Sequence, residues 1–197
     1  MKLGFLASHG GSNMQAILDG CADGSIPATP ALLICNNPGA GALERAAKAG
    51  MPCQVLNQKT HPDFAALDAA IAAALTEAGV DLVVLAGYMK KIGPQVLAAF
   101  RNRILNIHPA LLPKFGGQGM YGMNVHHAVV AAGETETGAT VHLINEVYDE
   151  GPILQQRRVP VLPGDTPETV QLRVLEQEHL LYPDTIAKIA RGEIQLP

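Results

Sequence analysis

The sequence has no tryptophan, few aromatic residues and only three cysteines. Aromatics make up 4% of 197 residues, so the core has to be built from aliphatic side chains. Cys21, Cys35 and Cys53 are odd in number and share no metal-ligand spacing. We therefore expect reduced thiols and neither a disulfide framework nor a zinc site.

Strong positive charge and long apolar runs are also missing. The 14 Lys and Arg are outnumbered by 18 Asp and Glu, and the net charge of -4 argues against a nucleic-acid backbone as the partner. The apolar stretch at residues 3–7 is too short for a signal peptide, and no segment approaches the length of a membrane helix. We expect a cytoplasmic protein with no membrane partner.

Short aliphatic runs alternate with helical patterns in the first half of the chain. Residues 64, 67, 71, 75 and 78 recur at helical spacing and predict one apolar stripe. This β-α-β-α-β-α-β order predicts a mostly parallel, Rossmann-like sheet with helices on both faces, an α/β fold. The predicted strands cover residues 3–7, 31–35, 53–56 and 81–86, and the predicted helices cover residues 12–21, 41–49 and 64–78.

The pattern changes beyond residue 100. Strands are predicted at residues 103–108, 139–144 and 153–161, and helices at residues 125–132 and from Pro167 onward. The glycine-rich stretch Phe115–Gly122 predicts a mobile or ligand-shaped loop. We predict one domain over residues 1–197, with a phosphate-binding half at about residues 1–100 and a catalytic half at about residues 101–197.

The turn after the first strand, Ser8–Asn13, is the first candidate site. Its glycines let the backbone approach a ligand, and the helix that follows offers free N–H groups and a positive dipole end. The turn lacks both the G-x-G-x-x-G pattern and the lysine of a P-loop, so a phosphate monoester suits it better than a pyrophosphate. An ordinary strand-to-helix turn explains the same residues equally well.

Asn106 and His108 form the second candidate site. Residues two apart in a strand face the same way, and the carboxyl end of a parallel strand is where α/β proteins bind ligands. Asn supplies a neutral hydrogen-bond donor, and His can supply a proton near neutral pH. A hydrogen-bonded structural histidine remains the alternative.

Two further carboxylates stand out. The acidic loop Asn145–Gly151 follows a predicted strand, and a carboxylate there could orient a catalytic histidine, although a solvated turn is the simpler interpretation. Glu178 lies on the apolar face of the last helix, between Val174 and Leu181, and needs a partner there. That partner is a substrate hydroxyl pair or a protein donor. The seven histidines show no H-E-x-x-H spacing and no G-x-S-x-G is present, so a metal or a serine hydrolase is not expected.

Taken together, these sites resemble those of the folate-dependent formyltransferase family, and the match runs over nearly the whole chain. The segment Gly138–Gly151 is the most specific of the matching parts. The other matching parts are Gly11–Asn13 with Gln15–Ile17, Asn36 with Leu43–Ala46, Val84–Met89, Leu105–Pro109 with Leu111–Pro113, and Gln177–His179.

The resemblance implies the formyltransferase fold, whose C-terminal half adds an antiparallel extension to the sheet. It implies transfer of a formyl group from 10-formyltetrahydrofolate to the amine of glycinamide ribonucleotide, without a metal, by a monomer or homodimer. The implied catalytic residues are Asn106, His108 and Asp149, with His108 protonated and its pKa raised by Asp149. The implied glycinamide ribonucleotide site is Gly11, Ser12, Asn13, Gly87, Pro109 and Glu178. The implied folate site is Leu85, Met89, Lys90, Lys91, Ile92, Asn106, Asn145 and Asp149.

The sequence departs from the family pattern near the expected folate tail. Bacterial relatives often carry a basic residue near position 64, where this chain has Asp63 and Phe64. Methionyl-tRNA formyltransferase and formyltetrahydrofolate hydrolase share the catalytic residues but carry an additional domain, which we do not expect here. A sugar-nucleotide formyltransferase and a non-catalytic nucleotide-binding module remain as alternatives.

Overall fold

The computed structural model describes residues 1–197 and contains seven strands and six helices. All of the predicted elements are present, with bounds shifted by at most three residues. The strands are β1 (Lys2–Ala7), β2 (Thr29–Cys35), β3 (Cys53–Val55), β4 (Leu82–Leu85), β5 (Ile104–His108), β6 (Glu136–Leu143) and β7 (Ile153–Pro160). The helices are α1 (Ser12–Ala22), α2 (Gly41–Lys48), α3 (Phe64–Glu77), α4 (Pro94–Ala99), α5 (Met123–Ala131) and α6 (Pro167–Ala190).

All seven strands form one sheet in the order β3-β2-β1-β4-β5-β6-β7. Strands β1 to β5 are parallel, whereas β6 pairs antiparallel with β5 and β7 pairs antiparallel with β6. The predicted fold class, a mostly parallel sheet with an antiparallel extension, is confirmed. Because β1, β4 and β5 end at the same edge, the segments that follow them lie side by side.

Both faces of the sheet are covered by apolar packing. On one face, Leu3 and Phe5 of β1 belong to a large buried cluster that also contains residues of α1 and α6. On the other face, Leu6 belongs to a smaller cluster with Ile71 and Leu75 of α3. Alternate residues of one strand therefore enter different cores, as expected for a strand buried on both sides.

Two details of the first half differ from the prediction. Phe64 was expected in the buried stripe but is 45% exposed, because it is the first residue of α3, directly after the N-cap Asp63. Helix α4 was not predicted. It has six residues, too few for a helical period to show, and its N-terminus is held by the buried Asp68 carboxylate, which accepts from the Gln95 and Val96 backbone N–H groups.

None of the helices is both long enough and apolar enough to cross a membrane.

Gly138 shows how tightly β6 and β7 pack. A Cβ atom at this position would overlap the backbone carbonyl oxygen of Arg157 on β7 and crowd Leu111. We expect Gly138→Ala to lower the free energy of unfolding by about 3 kcal/mol, since strand backbone cannot give way cheaply. Urea denaturation measures this. The matched control is Gly39→Ala, where a Cβ would make only an ordinary contact with Asn37 Oδ1 at 3.7 Å and the loss is expected to stay below about 0.5 kcal/mol.

Candidate active site

A cavity of about 450 Å³ opens at the carboxyl ends of β4 and β5, within the size range of small-molecule sites. Its walls are the segment after β4, the end of β5, the loop Gly117–Gly122 and the loop after β6. The cavity brings together many residues that the resemblance implied for the two substrates. These are Leu85, Gly87, Met89, Lys90, Lys91, Ile92, Asn106, His108, Pro109, Asn145 and Asp149.

The three residues implied for catalysis all line this cavity. Asn106 and His108 project from the same face of β5, and His108 is only 3% exposed. Asp149 comes from the loop after β6, where its backbone has a φ of 58°, in the left-handed region. Its Oδ2 lies 3.6 Å from His108 Nδ1 and accepts a 2.9 Å hydrogen bond from the Gly117 backbone N–H. The Gly117 N–H thus helps to hold the Asp149 carboxylate beside His108.

His142 is a fourth member of the cluster that the sequence analysis did not single out. It lies on β6 directly opposite Asn106 and is fully buried. His142 Nε2 lies 3.2 Å from Asn106 Nδ2 and 3.5 Å from Asp149 Oδ1, and Nδ1 lies 3.0 Å from the Leu143 carbonyl oxygen. Since a carbonyl can only accept, Nδ1 carries the proton and Nε2 accepts from Asn106. His142 therefore fixes the orientation of the Asn106 amide.

The electrostatics correct one expectation about His108. Burial is the largest influence and lowers the pKa of His108, and the Asp149 carboxylate only partly offsets this by raising it. The pKa of His142 is lowered for the same reason, again opposed by Asp149. A resting imidazolium at neutral pH, as implied by the resemblance, is therefore not what this site favours. Asp149 instead keeps the histidines readier to take up a proton than burial alone would allow.

The glycine-rich loop contacts the cluster through its backbone. His108 Nε2 lies 2.7 Å from the Phe115 carbonyl oxygen, so Nε2 donates to it. Phe115 has a φ of 55°, a left-handed conformation that is uncommon for a bulky residue. The turn just before it is tied to β6, because Thr140 Oγ1 donates to the Ala110 carbonyl oxygen at 2.7 Å. The Phe115 carbonyl oxygen of the loop therefore occupies the Nε2–H donor of His108 in this structure.

The segment Gly11–Asn13 lies outside the 450 Å³ cavity, at the N-terminus of α1. Gly11 caps this helix with a φ of 70°, and a Cβ there would crowd Ala42. Asn13 Nδ2 donates to Glu178 Oε2 at 2.7 Å, so the two parts implied for glycinamide ribonucleotide meet although 165 positions separate them. The protein donor to Glu178 that the sequence left open is therefore Asn13.

Glu178 is 8% exposed, and its burial raises the pKa from 4.5 to about 7, a shift that Asn13 only partly opposes. A raised folded-state pKa means that folding takes up a proton between pH 4.5 and about 7, so stability falls with rising pH across that window and is level above it.

We expect Glu178→Gln to be more stable than the unchanged chain at pH 8, by about 2 kcal/mol, and to lose this advantage near pH 4.5. The amide oxygen can still accept from Asn13. Urea denaturation at both pH values measures the difference, and a stability difference independent of pH would contradict a raised Glu178 pKa.

Comparison with known proteins identifies the family of the chain. The formyl transferase family model matches residues 1–186. The chain belongs to this family. It is 44% identical to the chloroplastic phosphoribosylglycinamide formyltransferase of Arabidopsis thaliana over 195 residues, covering 98% of this chain and 67% of the relative. It is 41% identical to the phosphoribosylglycinamide formyltransferase of Haemophilus influenzae, covering 99% of this chain and 90% of the relative.

The fold agrees with a solved member of the formyl transferase family. The crystal structure of glycinamide ribonucleotide transformylase 1 from Symbiobacterium toebii superposes with a TM-score of 0.93 at 43% identity. The alignment covers 100% of this chain and 91% of the other.

Proposed function

We propose that this chain transfers the formyl group of 10-formyltetrahydrofolate to the amine of glycinamide ribonucleotide, a step of purine biosynthesis. The observation that carries the proposal is the cluster of Asn106, His108, His142 and Asp149, three of which line the 450 Å³ cavity. The names of the relatives point to the same acceptor. One sheet contains strands from both the predicted phosphate-binding half and the predicted catalytic half, which supports a single domain.

The cavity fits a reduced folate by size and by chemistry. Leu85, Ile92 and Leu97 supply apolar wall, while Lys90 and Lys91 can meet the acidic tail. On the other side, the free N–H groups at the start of α1 suit the phosphate of the acceptor, and Glu178 suits its ribose hydroxyls. The two substrates would then meet beside His108.

The chemistry needs stabilisation of negative charge on the formyl oxygen while the amine attacks. Asn106 has one amide N–H bonded to His142 and one still available, and His108 offers its Nε2–H once the Phe115 carbonyl releases it. Each such donor, when it is aimed at the developing negative charge, is worth about 3 kcal/mol. Asp149 favours proton uptake by His108 as the charge develops and would help carry the amine proton to the departing folate nitrogen.

The test is an assay of purified protein with glycinamide ribonucleotide and 10-formyltetrahydrofolate, following release of tetrahydrofolate, with a control that lacks the amine. We expect turnover only with the amine present. Turnover without it would indicate the hydrolase instead. No turnover in either mixture, with folate binding intact, would direct the search to other phosphorylated amines.

A further inference from the structure

Ser8 makes three hydrogen bonds that the proposed chemistry does not use. Its Oγ accepts from the Met89 backbone N–H at 2.8 Å and donates to Asn36 Oδ1 at 2.6 Å. Its own backbone N–H donates to the Gly87 carbonyl oxygen at 3.1 Å. The residue therefore holds both ends of the three-residue segment Gly87–Met89. Ser8 is 2% exposed, and loss of its hydroxyl would remove two of these three bonds.

These bonds are part of a longer chain of contacts across the carboxyl edge of the sheet. Asn57 Nδ2 donates to the Asn36 carbonyl oxygen at 2.9 Å, and Asn36 in turn accepts from Ser8, which accepts from Met89. Asn57 follows β3, Asn36 follows β2, Ser8 follows β1 and Met89 follows β4, and these strands are neighbours in that order. We call Asn57, Asn36, Ser8 and Met89 the edge chain.

The edge chain ends at Met89, which lies in an irregular segment after β4. Gly87–Ile92 has no regular secondary structure, and Gly87 turns the backbone with a φ of 74°. The same segment walls both the 450 Å³ cavity and a second cavity of about 600 Å³ on its other side. Tyr88 and Ile92 pack against the smaller apolar core, while the hydrogen bonds to Ser8 fix the backbone at Gly87 and Met89.

We propose that Ser8 is a positioning residue for the formyl donor. Its hydroxyl and backbone amide hold Gly87–Met89 where the reduced folate contacts this segment, and the edge chain fixes the hydroxyl in turn. The inference rests on the proposed function, which takes Met89–Ile92 as folate-binding residues. The Ser8 hydroxyl bonds to Met89 and Asn36, and it has no hydrogen bond to a residue of the implied glycinamide ribonucleotide site. Only the Ser8 backbone N–H reaches that site, at Gly87, and Ser8→Ala leaves this bond in place.

Separate binding measurements for the two ligands test this inference. Isothermal titration calorimetry gives the Kd of tetrahydrofolate and of glycinamide ribonucleotide for the unchanged chain and for Ser8→Ala. We expect Ser8→Ala to weaken tetrahydrofolate binding about tenfold and to leave glycinamide ribonucleotide binding within about twofold. An equal loss for both ligands, or no loss for tetrahydrofolate, overturns the inference.

Two further substitutions separate positioning from stability. Asn36→Ala removes the acceptor of the Ser8 hydroxyl but leaves Met89 its own, so tetrahydrofolate binding is expected to weaken about threefold even if Ser8→Ala does not fold. Asn36→Asp keeps the acceptor oxygen and is expected to retain binding within about twofold. Binding losses that do not follow this order contradict the edge chain.

The matched control is Thr185→Val in α6. Thr185 is fully buried, and its hydroxyl also has two partners, Gln155 and Leu181, neither of which is among the residues assigned to the folate. It should lower Tm as Ser8→Ala does and leave tetrahydrofolate binding unchanged. A drop in folate affinity in this control would show that Ser8 acts through stability alone. Failure of the unchanged chain to bind tetrahydrofolate would instead overturn the proposed function.

Discussion

Replacing His108 with alanine is expected to lower kcat for formyl transfer by about 10²–10³-fold. His108 Nδ1 lies 3.6 Å from Asp149 Oδ2, and His108 Nε2 donates to the Phe115 carbonyl oxygen in the structure. Its loss removes both a hydrogen bond to the developing oxyanion and the group that can take up a proton there. Steady-state kinetics with both substrates saturating measures the effect on kcat directly.

His108→Gln separates these two contributions. A glutamine amide can donate a hydrogen bond but cannot titrate, so this variant is expected to recover part of the activity and to lose the limb of the pH profile that His108 causes. The control is His127→Ala on α5, an exposed histidine outside the cavity, which should keep full activity. A kcat close to that of the unchanged chain in His108→Ala would contradict the catalytic role of His108.

The fold was predictable because its elements carry local patterns. The apolar runs of β1, β2 and β4 and the stripe of α3 follow from period and spacing, and Asn106 and His108 share a face because residues two apart in any strand do. Helix α4 was not predicted because its six residues form less than two turns, too few for a helical period to show. Its N-terminus depends on Asp68, whose contribution comes from another helix.

The part of the site that could not be predicted depends on register. His142 was visible in the sequence, but only the antiparallel pairing of β5 with β6 places it opposite Asn106. Two other contacts also depend on tertiary structure. Glu178 and Asn13 meet between two helices, and Ser8 and Met89 meet between the ends of neighbouring strands. The balance between burial and Asp149 at His108 also needs the three-dimensional surroundings, since the sequence shows the carboxylate but not the desolvation.

Asp149→Asn is expected to lower kcat by about 10²–10³-fold as well, for a different reason. The carboxylate faces His108 Nδ1 at 3.6 Å and His142 Nε2 at 3.5 Å, and no other carboxylate lies within 4 Å of either ring. An amide of the same shape can still accept from the Gly117 N–H, so the loop after β6 should keep its place. The substitution therefore removes charge and leaves geometry.

The direction in which the pKa values of His108 and His142 change in Asp149→Asn tests the role of the Asp149 charge. Asp149 raises the pKa of both histidines against burial, which lowers them. Removing the charge leaves burial unopposed, so NMR titration of the imidazole protons should show both pKa values moving down in Asp149→Asn. A neutral His108 that resists protonation is a weaker partner for an oxyanion, which links the shift to the loss of kcat. Histidine pKa values that rise in the variant, or full activity with lowered ones, would contradict the role assigned to Asp149.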